Sequence, residues 1–310
     1  MVKIKELESY KNFGRAVSIS NGVVEAIVTI DLGPRIIYFG FLGGQNFMCD
    51  DRVALGGQED EEYWAFFGED KKWRSFGGHR VWVAPESYPE TYTPDDQPVE
   101  YTVTDSGAIF KKAYDTLVGT ATTLEVIMDP DDTNLQVVMT VKNISETPKD
   151  FAVWSLSVCD KNGVMVIPMN KDDTGLLPNR KLSLWPYTDL SDKRLFFGKD
   201  YITVAQDPKA ENPLKIGVDL NCGTAFYILN DEILCKRFDT NHPDGNYVDG
   251  GCSFETYTNS QKLEFETLGE LKTVAAGESL EHSERWFLVK KPCEVDTKDD
   301  ASIGNLLSKI

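Results

Sequence analysis

The sequence predicts an all-β protein, a sandwich or barrel built from roughly twenty short strands. Three observations carry this. Short runs rich in Val, Ile, Thr, Tyr and Phe recur along the whole chain, cut by Gly, Pro, Asp and Asn. Stretches with the spacing of an amphipathic helix are scarce. No repeat of solenoid or propeller period and no low-complexity tract interrupts the pattern.

Taken in order, the strands of the first half are "GVVEAIVTI" (Gly22–Ile30), "RIIYFGF" (Arg35–Phe41), "HRVWVAP", "VEYTVTD" (Val99–Asp105), "IFKKAYD" (Ile109–Asp115), "TTLEVIMD" (Thr122–Asp129), "LQVVMTVKN" (Leu135–Asn143) and "DFAVWSLSV" (Asp150–Val158). "DLGP", "DPDDTN", "SETPKD" and "DKNG" supply turns, and the two strands around "DPDDTN" read as a hairpin. The second half continues with "VMVIPMN", "KLSLWPY", "RLFFG", "YITVAQD", "KIGVDL", "GTAFYIL", "EILCKRFD", "CSFETYTN", "KLEFETLGELKTV" and "SERWFLVKK". Asp60–Trp73 reads as a short helix or a decorated loop, and "ASIGNLLSKI" as a short terminal helix. One domain is expected over residues 1–310, with a small appendage from about residue 292.

Composition bounds the function. The chain has 310 residues, 41% hydrophobic and 26% charged, enough for a large core. Fifty acidic against 32 basic residues give a net charge of -18, which repels phosphate backbones and anionic lipid. Neither nucleic acid nor a membrane is an expected partner. The N-terminus shows no secretory h-region, and no apolar run reaches the ~20 residues of a transmembrane helix. The six cysteines are scattered without a C-x-x-C, as suits a reduced, cytoplasmic compartment. No cofactor is expected.

Two stretches could carry chemistry. "SFGGHRVWVAPESYPETY" (Ser75–Tyr92) places His79, Arg80, Trp82 and Glu86 behind Gly77-Gly78, although the chain has only three histidines. Regular alternation sends Arg80 and Trp82 to one face and His79, Val81 and Val83 to the other, so His79 reaches a site only if the glycine pair bends the strand. "TNHPDGNYVDGGCSFETYTNSQKLEFETLG" (Thr240–Gly269) places His242, Asp244, Asp249, Glu255 and Tyr257 together. There Glu255 and Tyr257 share one strand face and Phe254, Thr256 and Thr258 the other. Burial would raise the Glu255 pKa toward that of a neutral-range base. Glu264 and Glu266 look like solvated-face residues, and His282 like an exposed turn histidine. "DTNHPDGNYVDGG" has oxygen ligands but no EF-hand spacing, so no metal site is expected.

"CSFETYTNSQKLEFETLGELKTVAAGESLEHSERWFLVKK" resembles the closing segment of the galactose mutarotase-like (aldose 1-epimerase-like) superfamily. "TIDLGPRIIYFGF" resembles its early Gly-x-Arg-Ile strand, and "GGHRVWVAPE" the segment that supplies a sugar-contacting histidine. The match is closer to a branch with GG-x-x-x-W-x-x-PE early and ETLG-x-L late. This resemblance implies an antiparallel β-supersandwich with few helices, a small-molecule carbohydrate as ligand, and anomer interconversion by a base and an acid flanking the sugar. Glu255 falls at the family's catalytic-glutamate position. Trp154 stands where the family's mid-chain acid histidine is found, which leaves His79 as acid or orienting donor. Arg80, Trp82, Glu86, Trp154, Asp249, Tyr257 and Arg35 complete the expected sugar-binding set. Arg35 can equally be an ion pair holding the early strand, and Trp154 a core tryptophan. The alternatives are a carbohydrate-binding protein of the same fold without epimerase activity, or a glycan hydrolase or lyase with Asp249 or Glu86 as second carboxylate. The scarcity of Lys and Arg near the expected site argues against a sugar phosphate.

Overall fold

The computed structural model describes residues 1–51, 56–112 and 117–310. Two antiparallel sheets stack face to face, as the resemblance implies. The first, eleven-stranded among the described residues, runs in the order Lys3–Leu7, Ala16–Ser20, Val24–Thr29, Ile36–Phe41, Gly78–Ala84, Lys149–Cys159, Leu263–Leu268, Phe254–Thr258, Leu214–Val218, Leu182–Leu184, with Lys272–Val274 paired onto Lys149–Cys159. The second, ten-stranded, has Glu232–Phe238, Ser279–Lys290 and Leu135–Asn143 at its centre. The end of the expected strand Ile109–Asp115 lies outside the described residues.

Alternation decides what fills the space between the sheets. Phe254 and Phe265 turn inward, with ring centroids 5.6 Å apart, and meet Phe39, Phe151 and Trp286 in one apolar layer. Val81 and Val83 pack against the same layer, so Arg80 and Trp82 on the alternate positions point to the far side of the first sheet. That far side is the concave face on which the candidate site stands.

Two glycines make this geometry possible. Gly78 has φ +66°, and a Cβ there would lie 2.6 Å from the Ile36 carbonyl, so only glycine lets the two strands pair at Ile36 and His79. A Cβ on Gly217 would stand 2.6 Å from Cys252 Sγ and 3.3 Å from Glu255 Cγ, so Gly217 leaves the room that the Glu255 side chain occupies.

Of the stretch Asp60–Trp73, left open between helix and loop, Glu61–Phe67 is helical, and the expected terminal helix forms over Asp300–Leu307. Asp60 caps Glu61–Phe67 by accepting from the Tyr63 amide, and the helix buries Tyr63 and Phe67 beside the concave face. Asp300–Leu307, capped by Asp299, buries Ile303 and Leu306 against Val166, Phe226 and Ile228 on the outer face of the second sheet. No helix among the described residues is long and apolar enough to cross a membrane.

Candidate functional site

On the concave face lies an open cavity of about 480 Å³. Four of the six tryptophans line it: Trp73, Trp82, Trp154 and Trp185. They arrive from different places. Trp82 and Trp154 are directly paired residues on neighbouring strands, so their indoles meet edge to face with centroids 5.4 Å apart. Trp73 comes from a small ribbon, Gly57–Gln58 with Trp73–Arg74, that folds over the rim. Trp185 follows the edge strand Leu182–Leu184. Tyr92 packs against Trp73 and Trp82 at 5.2 Å from each, and Tyr187 meets Tyr257 at 6.4 Å.

Polar side chains complete the wall: Arg80, Lys215, Lys262, Glu86, Glu264, Gln58 and Asn259. Three cations therefore line a cavity near which the sequence suggested few. The reason is that Lys215 comes from a strand distant in sequence, and each of the two lysines is closely matched to a glutamate. Lys262 Nζ lies 2.7 Å from Glu264, and Arg80 Nη2 lies 3.9 Å from it. Lys215 Nζ is 3.1 Å from Glu266 and 2.7 Å from Glu255.

Glu264 and Glu266, expected on a solvated face, are buried, because loops and aromatic side chains cover this side of the sheet too. Glu255 is fully buried on the cavity side, directly across from Glu266 in the neighbouring strand. It stands behind Lys215 rather than in the wall. Its contact with Lys215 is ionic and off the hydrogen-bonding direction, for neither Glu255 oxygen has a directed donor, whereas Lys215 donates to Glu266. Burial pushes the Glu255 carboxyl up to about 8, with Lys215 opposing and Glu266 adding to the rise. Burial likewise raises Glu266. Burial also acts to raise Glu264, but Lys262 and Arg80 outweigh it and hold that carboxyl below its ordinary value. Burial lowers Lys215, yet Glu266 and Glu255 prevail and hold its ammonium above the ordinary value.

Of the residues named from sequence, Arg80, Trp82, Glu86, Trp154 and Tyr257 line the cavity. Glu86 sits on its exposed rim and accepts from the Tyr92 hydroxyl. Trp154 donates to Glu266 over 3.0 Å, so its polar edge is tied down while it lines the wall.

Arg35 takes its ion-pair alternative, and three further placements, those of His79, Asp249 and His282, differ from expectation. His79 is fully buried between the sheets: its ring meets Trp286 edge-on at 4.9 Å, and Nδ1 is 2.9 Å from Ser157 Oγ. Gly78 brings the strands together without reversing the alternation, so His79 stays opposite Arg80 and away from the cavity. Burial, then Lys236, drives its pKa well below the ordinary value, and it remains neutral. Arg35 is fully buried in an ion pair with Asp95 and donates to the Gly77 carbonyl at 3.1 Å, holding the strand entry rather than a ligand. Asp249 is exposed in a turn, with φ 52°, where its carbonyl accepts from Ser183 Oγ at 2.6 Å. It is outside the wall because the turn, not the strand, carries it. His282 is buried rather than exposed, 2.7 Å from Thr267 Oγ1.

His242 pairs with Asp219 at 3.1 Å and approaches Asp172 at 3.6 Å. Among the described residues no group of three His, Cys, Asp or Glu side chains is arranged to hold a metal ion. Sequence reasoning missed Trp73, Trp185, Tyr92, Tyr187, Lys215 and Lys262. "KLSLWPY" and "KKWRSF" carried the only visible signal, aromatics beside turn residues.

No family model matches the sequence, and no curated protein matches it. Solved structures match by fold. A TPR-domain containing protein from Parabacteroides distasonis aligns with TM-score 0.57 at 13% identity over 90% of this chain and 48% of that one. This chain thus spans about half of that protein's length. A galactose mutarotase-like protein from Clostridium acetobutylicum aligns with TM-score 0.53 at 10% identity, covering 93% of this chain and 99% of that one. One from Lactobacillus casei aligns with TM-score 0.52 at 13% identity, covering 88% and 100%. The chain therefore has the galactose mutarotase-like fold.

Proposed function

We propose that this chain binds a carbohydrate in the tryptophan cavity. One observation carries the proposal: four indoles and three tyrosines surround a hollow whose remaining wall is mostly charged or amide-bearing. Indole faces pack on the apolar C–H face of a sugar ring, while Asn259, Gln58, Lys262 and Arg80 offer hydrogen bonds to its hydroxyls. The volume of about 480 Å³ suits a small ligand. The fold it shares with mutarotase-like proteins supports the same choice of ligand. Tryptophan fluorescence titrated with monosaccharides tests it. A saturable change is expected, weakened about tenfold in Tyr257→Ala through loss of an aromatic contact. A flat signal with every sugar, neutral or acidic, would remove the proposal.

A second function, acceleration of anomer exchange, is favoured by Glu255, whose carboxyl with a pKa of about 8 has the strength of a neutral-range base. To act, it must exchange its contact with Lys215 for one with the sugar. Tyr257, held above its ordinary pKa by burial and then Glu264, stays protonated in the wall and is the donor in place of His79. Polarimetry on freshly dissolved α-glucose or α-galactose decides this. The enzyme reading expects a rate above buffer that climbs as pH rises through about 8 and vanishes in Glu255→Gln. A rate equal to buffer at every pH leaves binding alone.

A further inference from the structure

Arg80 carries an unused charge. Its side chain is 4% exposed yet lines the cavity, packed on Trp82 and beside Trp73 with its guanidinium carbon 3.9 Å and 5.4 Å from the ring centroids. Nε and Nη1 have no hydrogen-bond partner, and the approach of Nη2 to Glu264 at 3.9 Å is too long to be one. Glu264 is already engaged by Lys262 at 2.7 Å. Nε and Nη1 are sealed from the cavity, so the donor open to a ligand acceptor is Nη2, and an acceptor there offsets part of the cost of the buried charge.

The surroundings fix the kind of acceptor. A cationic ligand finds aromatic seats taken, since Arg80 lies against Trp82 and Trp73 and Lys215 lies 5.0 Å and 4.6 Å from the Trp154 and Trp185 rings. A doubly charged group would face Glu86 and Glu264 in the same wall. A single negative charge matches the one guanidinium in the wall that lacks a close partner, and a carboxylate oxygen can accept from its open Nη2. We propose that the ligand is an acidic sugar of the uronate type, its carboxylate seated on Arg80 and its ring against the indoles. This rests on the carbohydrate proposal above and adds the ligand's charge.

The experiment compares glucose, glucuronate, glucose 6-phosphate and free acetate at neutral pH, reading tryptophan fluorescence and confirming by calorimetry. Glucuronate is expected to bind at least about tenfold more tightly than glucose, the value of one hydrogen-bonded charge contact. In Arg80→Gln that ratio should fall to near one. If Arg80→Gln does not fold, the wild-type ratio and its decline with added salt still decide. Equal affinity for glucose and glucuronate would overturn the inference and leave carbohydrate binding standing. Tighter binding of glucose 6-phosphate would overturn the carboxylate, and acetate binding as well as glucuronate would overturn the sugar acid. Absence of binding by all four would remove both this inference and the proposal beneath it.

Discussion

Glu284→Ala will cost the fold about 3–5 kcal/mol, because it strands a buried ammonium between the sheets. Lys236 and Glu284 are both fully buried, with Nζ 3.1 Å from Oε2. The carboxylate also accepts from Ser155 and Thr267, each at 2.6 Å, and from the Trp286 indole at 2.5 Å. Lys236 donates to Ser157 at 2.7 Å, and Ser157 is the partner of His79. These residues come from both sheets, so one polar network ties the layers where the rest of the space is apolar. Burial alone would raise the Glu284 carboxyl; Lys236, helped by the hydrogen bond from Ser155, outweighs it and brings it down to about 2. A carboxyl lowered on folding stabilises the native state above its unfolded pKa and ceases to as pH falls from the mid-4s toward 2. Urea unfolding at neutral pH should show the lower midpoint at an unchanged slope. Lys236→Met with Glu284→Leu should recover part of the loss, though not all, because Ser155 and the Trp286 indole keep no acceptor. A loss under about 1 kcal/mol in Glu284→Ala would mean that the network carries no net charge pairing.

The strands were readable because a period of two survives any packing, and the same period placed Arg80, Trp82 and Tyr257 on the correct face. What alternation could not tell is which faces are wet. Glu264 and Glu266 alternate with Leu263 and Phe265 as a solvated face should, yet both faces of that strand are covered. Lys215 is a single lysine in "PLKIGVDL", and nothing local announces that it will stand between two glutamates from strands more than thirty residues away. His79 was drawn toward the site by its neighbours in sequence, although its own parity pointed inward. The network around Glu284 was hidden for the same reason: "EHSERW" sets His282, Glu284 and Trp286 on one face, and only the neighbouring strand supplies Lys236 and the facing sheet Ser157.

Lys215→Met tests the electrostatics of the site itself. Glu255 and Glu266 are direct neighbours across two strands, and Lys215 is the cation in contact with both. Without it, two buried carboxyls of like charge face one another and cannot both ionise cheaply. The cost is therefore set by pH. Glu255 already has a folded pKa of about 8, so in the wild type its contribution favours the native state at low pH and fades as pH climbs through 8. Removing Lys215 pushes both carboxyls higher and steepens that decline. Below about pH 4.5 both are neutral, the variant has lost only an ammonium with no anion beside it, and the midpoint in urea should be close to wild type. Above pH 8 the full penalty of about 3–5 kcal/mol is expected. Adding Glu255→Gln to Lys215→Met should flatten the profile by leaving one carboxyl. A Lys215→Met penalty that is the same at pH 4 and pH 9 would show that Lys215 acts by packing on Trp154 and Trp185, and the charge coupling behind Glu255 as a tuned base would fall with it.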